Sequence, residues 1–380
     1  MSKVRKAPLR VTLVGLLFAA SVVAAELPIV KIGVIVDGPW AGNESFRQLT
    51  ITEVTAVTEG EFDVRFPDET YLIGDWTLEG AKANLTRLLE DPGVDLVVTW
   101  GLLASHAACC YGALPKPVLA PVIIDIRLQG VPYVSGVSGR ENFSYVALPD
   151  NLANEIPTFL DIVPFEYVAI LTNGALVEAI PDLPERTRQG IAGFGVEFEF
   201  IPVRDSADEA LALIPDEADA VYAWPLFQMQ PAEFQRLVDG LNERKLPTFS
   251  ALGGADLTAG MLASTAAEGF FQRLTRRVAL NIQRILLGED AGSLPVDFAP
   301  RDQLVINMAT ARGEAPSAEG AGVVRRRAID LRQRHIQQPQ EHGQLSAMVH
   351  CVAQNEPSHR SNLRQCGHHV LTDPQRPLGE

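Results

Sequence analysis

Positive charge is scarce in this sequence. Lys and Arg together number 32 against 47 Asp and Glu, which gives a formal net charge of −15 over 380 residues. A protein that binds nucleic acid needs a basic surface to displace the counterions of the phosphates. The charge balance therefore excludes nucleic acid as a partner, and an apolar fraction of 47% beside it is typical of a soluble globular protein.

Cysteine is equally scarce, with four residues in the whole chain. Cys109 and Cys110 are adjacent, and Cys351 and Cys366 lie near the end. This spacing does not form a disulfide framework. We interpret the cysteines as small side chains that fill buried positions.

Histidine is nearly missing from the regular part of the chain, because six of the seven lie beyond residue 330. Cys351, His359, Cys366 and His369 do not have the spacing of a compact zinc motif, so we predict no metal site. The segment GEAPSAEGAG begins a region without lasting periodicity. We expect residues 313–380 to form a disordered tail.

Motifs for catalysis and cofactor binding are also missing. No phosphate-binding loop and no dinucleotide fingerprint follow the first strand. The serine in GVSGR at 136–140 does not stand in a nucleophile elbow. His106 is the one histidine before the tail, and a lone histidine in such a segment is more often a packed helix residue than a base. The sequence therefore predicts neither an enzyme nor a cofactor.

The first 25 residues have the pattern of a cleaved secretory signal. Four basic residues precede an apolar run at 11–25, and small residues stand before Glu26. The run is too short for a membrane span of about 20 residues. We predict that residues 1–25 are removed on export to the periplasm; an uncleaved anchor is the alternative.

From Ile29 onward the chain alternates between strand and helix patterns, in two rounds. The first round runs from the strand IVKIGVIV to KPVLAPVII, and the second from YVAILTN to PTFSAL. Strands separated by helices of this length predict parallel sheets with right-handed crossovers. Two rounds of similar size predict two α/β lobes with a cleft between them.

A further helix, RRVALNIQRILLGED at 276–290, follows both rounds. It has apolar residues on one face and Gly288 at its end. We expect it to pack back on the first lobe, so that the lobes share chain. The predicted division places residues 26–145 and 264–292 in the first lobe, and 146–263 and 293–312 in the second.

Aromatic residues stand where strands end, which is where open parallel sheets bind ligands. Trp40 follows the first strand, and Trp100 and Trp224 close two later ones. Such a pocket suits a small, partly apolar ligand. Packing at the lobe interface is the alternative for any one of these rings.

Polar residues at strand ends complete the predicted site. Asp125 follows a buried strand and either contacts the ligand or caps nearby backbone amides. Asn173 ends another strand and would orient the ligand with it. The predicted cleft residues are Trp40, Trp100, Gly101, Asp125, Asn173 and Trp224.

Three segments in chain order carry a family resemblance. KPVLAPVIIDIRLQGVPYVSGVSG has a strand that ends in Asp125, then Gly130 and the element SGVS at 135–138; DLVVTWGLLAS has a turn at Gly101; RRVALNIQRILLGEDAGSLPV contains the late helix. Together with GMLAS at 260–264, they resemble type I periplasmic substrate-binding proteins of ABC transporters, in particular uncharacterised components similar to tryptophan-binding lipoproteins. The resemblance covers about residues 29–312.

The resemblance implies two Rossmann-like lobes joined by hinge crossovers that close on a ligand. Members often have a hydroxyl residue after the glycine of the third strand, where helix amides hold a carboxylate. This chain has Leu102 there, and Trp224, Pro225 and Leu226 stand where the second lobe often has polar residues. These departures favour a ligand that is more apolar than an amino acid.

The sequence thus predicts an exported solute-binding protein. It would capture a small, partly apolar organic ligand in an interlobe cleft and deliver it to an ABC permease in the inner membrane. A periplasmic sensory or adaptor module is the alternative. That module would contact an efflux or signalling partner, including an outer-membrane efflux channel.

Overall fold

The computed structural model describes residues 26–147, 151–266, 269–298, 304–313 and 323–325. The predicted signal segment and nearly all of the predicted tail lie outside these residues. Within them, every helix is too short or too polar to cross a membrane.

The first sheet has six strands, all paired in parallel. The strand at residues 29–36 is rich in Val and Ile, and residues 32–36 are buried on both faces, as a parallel sheet covered by helices requires. The order is β2-β1-β4-β5-β6, and β3 pairs with the second half of β1. The strands are β1 (Ile29–Val36), β2 (Asp63–Arg65), β3 (Tyr71–Ile73), β4 (Leu96–Trp100), β5 (Val118–Ile123) and β6 (Phe143–Ala147).

Four helices connect these strands. The sheet, these four helices and one later helix together form what we call the first lobe. Thr77 caps the second helix, as its position before an apolar periodic segment suggests: its hydroxyl oxygen accepts a hydrogen bond from the Gly80 N–H at 2.9 Å. The helices are α1 (Asn43–Thr58), α2 (Leu78–Glu90), α3 (Leu102–Cys110) and α4 (Ile126–Gln129).

The second sheet has seven strands in the order β13-β12-β11-β10-β9-β7-β8. Strands β7 to β11 pair in parallel, while β12 is antiparallel to β11 and β13. The antiparallel strand joins the sheet after the late helix, outside the regular strand-helix alternation. The strands are β7 (Tyr167–Asn173), β8 (Glu197–Val203), β9 (Ala220–Ala223), β10 (Thr248–Ser250), β11 (Ala263–Ser264), β12 (Val305–Asn307) and β13 (Val323–Arg325).

The remaining helices occupy the segments between these strands, and together with the sheet they form the second lobe. The helices are α5 (Asn151–Ile162), α6 (Gly174–Ala179), α7 (Leu183–Ile191), α8 (Ala207–Leu213), α9 (Pro231–Glu243), α10 (Ala255–Ala259), α11 (Phe270–Leu286) and α12 (Met308–Ala311), of which α11 is the one that belongs to the first lobe.

The late helix α11 packs against α1 and buries its apolar face in a core shared with β1 and β4. Leu274, Val278 and Ile282 lie in that core. The helix begins at Phe270, before the segment that the apolar pattern marks. The predicted fold class, two α/β lobes built on mostly parallel sheets, is confirmed, whereas the chain boundaries between the lobes stay a prediction.

Candidate ligand-binding site

A cavity lies between the lobes at the carboxyl ends of their strands. The volume open to the centre of a water molecule is about 90 Å³. One water needs roughly 10–15 Å³ on this measure, so the cavity has room for a small organic molecule. It is lined by Val36, Asp37, Trp40, Phe46, Trp76, Trp100, Gly101, Leu102, Leu103, Pro121, Val122, Ile124, Asn173, Pro225, Phe227, Gln228, Ala251, Leu252, Phe270, Phe271 and Leu274.

Aromatic rings of both lobes meet around this cavity. The ring of Trp40 lies 4.8 Å from that of Phe227, centroid to centroid. Phe46 meets Trp100 edge-on at 4.6 Å, and Phe271 lies 5.9 Å from Phe46 and 6.3 Å from Phe227. Phe227 belongs to the second lobe and the other rings to the first. The rings therefore form one aromatic cluster that spans the cleft, with pairs worth roughly 0.5–1.5 kcal/mol each beyond simple burial.

A third tryptophan, Trp76, lines the cavity together with Trp40 and Trp100. Its φ angle is +64°, which a bulky side chain rarely adopts. Its backbone N–H donates to the Asp37 carbonyl oxygen at 2.8 Å, and its indole lies against Gly38, where a Cβ atom would come within 2.3 Å of Nε1. Strained backbone of this kind persists where the surroundings hold it in place, and it concentrates at ligand sites.

A buried carboxylate stands in the same wall. Asp37 follows β1, and its Oδ2 and Oδ1 accept hydrogen bonds from the N–H groups of Leu103 at 3.0 Å and Ala104 at 2.9 Å, in the first turn of α3. Gly101 permits this approach, because a Cβ atom there would lie 2.1 Å from Asp37 Oδ1. Burial raises the pKa of Asp37 to about 6, although the backbone hydrogen bonds oppose the shift.

Four of the six predicted cleft residues line the cavity, namely Trp40, Trp100, Gly101 and Asn173. The indole N–H of Trp100 is buried and has no hydrogen-bond partner in the part of the chain that the structure describes. Asn173 Oδ1 accepts a hydrogen bond from the Ala175 N–H at 2.9 Å and so caps α6. The contact of these residues with a ligand stays a prediction.

Asp125 and Trp224 lie outside the residues that line the cavity. Asp125 Oδ1 caps α4 by accepting hydrogen bonds from the N–H groups of Arg127 and Leu128, both at 2.8 Å. Trp224 is buried beside Phe200, with ring centroids 5.5 Å apart. For Asp125 the geometry is that of the capping alternative, and for Trp224 it is that of a packing residue. A ligand role for either stays a prediction.

Sequence reasoning missed several residues of the cavity. Asp37 directly follows a buried strand, so the rule that selected Asp125 could also have selected it. Phe227 and Phe271 gave no such signal, because they belong to a loop and to the first turn of a helix. Their place at the cavity depends on how the lobes meet.

The cysteines near α3 differ from one another. Cys109 is buried as interpreted, but the interpretation is wrong for Cys110, which is exposed at the end of the helix with Sγ 3.6 Å from His106 Nε2. The helix turns one neighbour inward and the next outward. Among the described residues, no three His, Cys, Asp or Glu side chains are arranged to hold a metal ion.

Comparison with known proteins gives similarity of structure. No family model and no curated protein matches the sequence. A conserved domain protein from Vibrio cholerae superimposes with a TM-score of 0.58 at 19% identity, over 76% of this chain and 96% of that one. The ABC domain from Streptococcus pneumoniae in complex with L-Trp has a TM-score of 0.55 at 17% identity, over 77% and 99% of the two chains.

A third structure is a possible leucine/isoleucine/valine-binding protein from Rhodopirellula baltica, with a TM-score of 0.51 at 10% identity, over 78% of this chain and 96% of that one. At these identities the likeness is one of fold. The chain therefore has the two-lobed type I periplasmic-binding fold, and the resemblance seen in the sequence is confirmed at that level. Of these three proteins, one is in complex with L-Trp and another is a possible leucine/isoleucine/valine-binding protein.

Proposed function

We propose that this chain, which has the fold of the type I periplasmic binding proteins, is an exported solute-binding protein. It captures a small, partly apolar organic ligand between its lobes and presents it to an ABC permease in the inner membrane. The aromatic cluster that spans the cleft supports this proposal most directly. A ligand that touches both lobes would favour the arrangement in which they meet.

The side chains around the cavity favour binding over turnover. Asp37 is the one titratable side chain among the lining residues, and these residues include no Ser, Cys, His or Lys. Nucleophilic catalysis needs a nucleophile within hydrogen-bond reach of a base. The cavity is therefore suited to holding a molecule without changing it.

The size and character of the cavity favour a ligand with a ring. The Streptococcus pneumoniae structure of the same fold holds L-Trp, a ligand with an aromatic body. In this chain three tryptophans and four phenylalanines line the cavity. Rings packed on rings would supply most of the contact area and the shape selectivity.

Extraction of copurifying small molecules tests the proposal. The protein is purified natively from its own cells, and organic molecules released on denaturation are identified by mass spectrometry. We expect one compound to copurify with the wild type and to be lost from Trp40→Ala. At 100 times its Kd, that compound should stabilise the wild type by about 2.7 kcal/mol in thermal unfolding.

Phe198→Ala is the matched control, because Phe198 is a partly buried ring on β8 that does not line the cavity. It should retain the compound. If no molecule copurifies and the Trp40→Ala and Phe198→Ala proteins behave alike in every ligand screen, the proposed function is wrong.

A further inference from the structure

We infer that the ligand carries a protonated amine on an aromatic or apolar body, has no free carboxylate, and is selected by Asp37. The inference rests on the proposed function and names the ligand class of the same site. Three observations support it: what fills the first turn of α3, what surrounds Asp37, and what that carboxylate lacks.

The first turn of α3 is already occupied. Backbone N–H groups at the start of a helix are a common site for a ligand's carboxylate or phosphate. Here the N–H groups of Leu103 and Ala104 donate to the chain's own carboxylate on Asp37, at 3.0 and 2.9 Å. An anionic ligand would find these donors taken and would face a like charge, so the site disfavours carboxylates.

The surroundings of Asp37 favour a cation. Trp40, Trp76 and Trp100 line the same cavity, together with phenylalanine rings. The faces of aromatic rings attract cations, and tryptophan does so most strongly. A carboxylate has about four acceptor positions, so the backbone N–H groups of Leu102, Leu103 and Ala104 still leave room for a ligand N–H group.

Asp37 lacks a counter-charge. Lys, Arg and His are missing from the lining residues, and Asp37 forms no ion pair within the described residues. A buried carboxylate without a partner is costly, which is why burial raises its pKa to about 6. A ligand ammonium group would supply the missing positive charge at the one charged position of the cavity.

Two series of probes test the inference by isothermal titration calorimetry at pH 7.5. One contains phenethylamine, L-phenylalanine and 3-phenylpropanoate, and the other contains tryptamine, L-tryptophan and indole-3-propanoate. Within each series the ring is constant and the charged groups change. We expect the amine of at least one series to bind about tenfold or more tightly than its acid and its amino acid. The acid lacks the counter-charge that the unpaired buried carboxylate needs, and the carboxylate of the amino acid would face the like charge of Asp37.

Substitutions at Asp37 should then reverse the preference. Asp37→Asn should weaken amine binding about tenfold, since it removes the charge and keeps the size. Asp37→Ala frees the N–H groups of Leu103 and Ala104 and should raise the affinity for the propanoates. Asp256→Asn is the control: Asp256 is a partly buried acid whose pKa is also raised to about 6, but it lies in the second lobe and does not line the cavity. It should leave the order of affinities unchanged.

The outcomes separate the two proposals. If an acid or amino acid binds as tightly as its amine while a molecule still copurifies with the protein, solute binding stands and the amine inference is wrong. If no probe of either series binds, the inference is also wrong, and copurification alone decides the proposed function. The wild-type affinities are sufficient for this decision should either Asp37 variant fail to fold, which circular dichroism would show.

Discussion

The two lobes make unequal walls of the cavity. The first lobe contributes three tryptophans, three phenylalanines and the carboxylate of Asp37, whereas the second contributes one ring, Phe227, with neutral side chains around it. The first lobe thus holds nearly all groups that could recognise a ligand. The second lobe supplies the ring that meets Trp40 at 4.8 Å.

This difference indicates a division of tasks. A ligand would bind first to the first lobe, where rings and charge are grouped, and the second lobe would close over it with Phe227 and Gln228. Hinge closure of this kind gains only the contacts that the open form lacks. Substitutions in the first lobe should therefore weaken recognition, and substitutions in the second should weaken closure.

The largest expected effect is that of Trp100→Ala. Trp100 is 6% exposed and meets Phe46 edge-on. Its truncation should destabilise the protein by about 3–5 kcal/mol in urea unfolding and weaken ligand binding about 100-fold or more. Trp100→Phe keeps a ring in the core and should lose much less of both. A wild-type affinity in a folded Trp100→Ala protein would contradict the division.

The pH dependence of stability should contain similar contributions from the two lobes. Burial raises the pKa of Asp37 in the first lobe and of Asp256 in the second from 3.8 to about 6. Each of these two carboxyl groups binds its proton more tightly in the folded protein than in the unfolded chain. Its contribution to the free energy of unfolding is therefore fully present below pH 4 and is lost as the pH rises to about 6. The loss is roughly 3 kcal/mol for each.

Urea unfolding between pH 4 and 7 measures this loss. Asp37→Asn and Asp256→Asn should each flatten the pH dependence by a similar amount. A flat profile in the wild type would show that neither carboxylate keeps its raised pKa.

The pH dependence of ligand affinity, by contrast, should depend on the first lobe and not on the second. Amine binding needs ionised Asp37, so the affinity for phenethylamine or tryptamine should fall about tenfold as the pH drops from 7 to 5, through the pKa of Asp37 near 6. The neutral ring compound 3-methylindole should show no such change. Asp256→Asn should leave the amine profile as in the wild type, and an amine affinity that rises on acidification would contradict the role of Asp37.

The smallest expected effect is that of Phe227→Ala. The ring is partly exposed and makes the aromatic contact between the lobes, so its loss should weaken binding about fivefold through an easier opening of the cleft, with a loss of roughly 1–2 kcal/mol in stability. Small-angle scattering with and without ligand should show a larger change in radius of gyration than in the wild type. A loss of affinity equal to that of Trp100→Ala would show that both lobes contribute equally to recognition, and would contradict the division of tasks between them.

Much of the fold could be predicted from local patterns. The buried strands of the first sheet appear as continuous apolar runs, and the helices between them as periodic segments with caps such as Thr77. The antiparallel strand β12 could not be predicted. Its three residues are too few to show a periodicity, and their pairing depends on the path that the chain takes after α11.

The site divides in the same way. Strand ends can be read from the sequence, and they led to Trp40, Trp100 and Asn173, which line the cavity. The same reading favoured Asp125 over Asp37, although both follow buried strands. Only the arrangement of neighbouring elements puts Asp37 in the cavity wall and Asp125 at the cap of α4 outside the lining.

By itself the sequence determined two α/β lobes, the edge of each sheet where a ligand would bind, and the aromatic character of that edge, because hydrophobic periodicity and strand order act over short stretches of chain. Tertiary structure alone decided that Phe227 and Phe271 join these rings and that the first turn of α3 is filled by a carboxylate rather than left open. These contacts join residues far apart in the chain. Their geometry depends on how whole lobes pack, which local pattern does not encode.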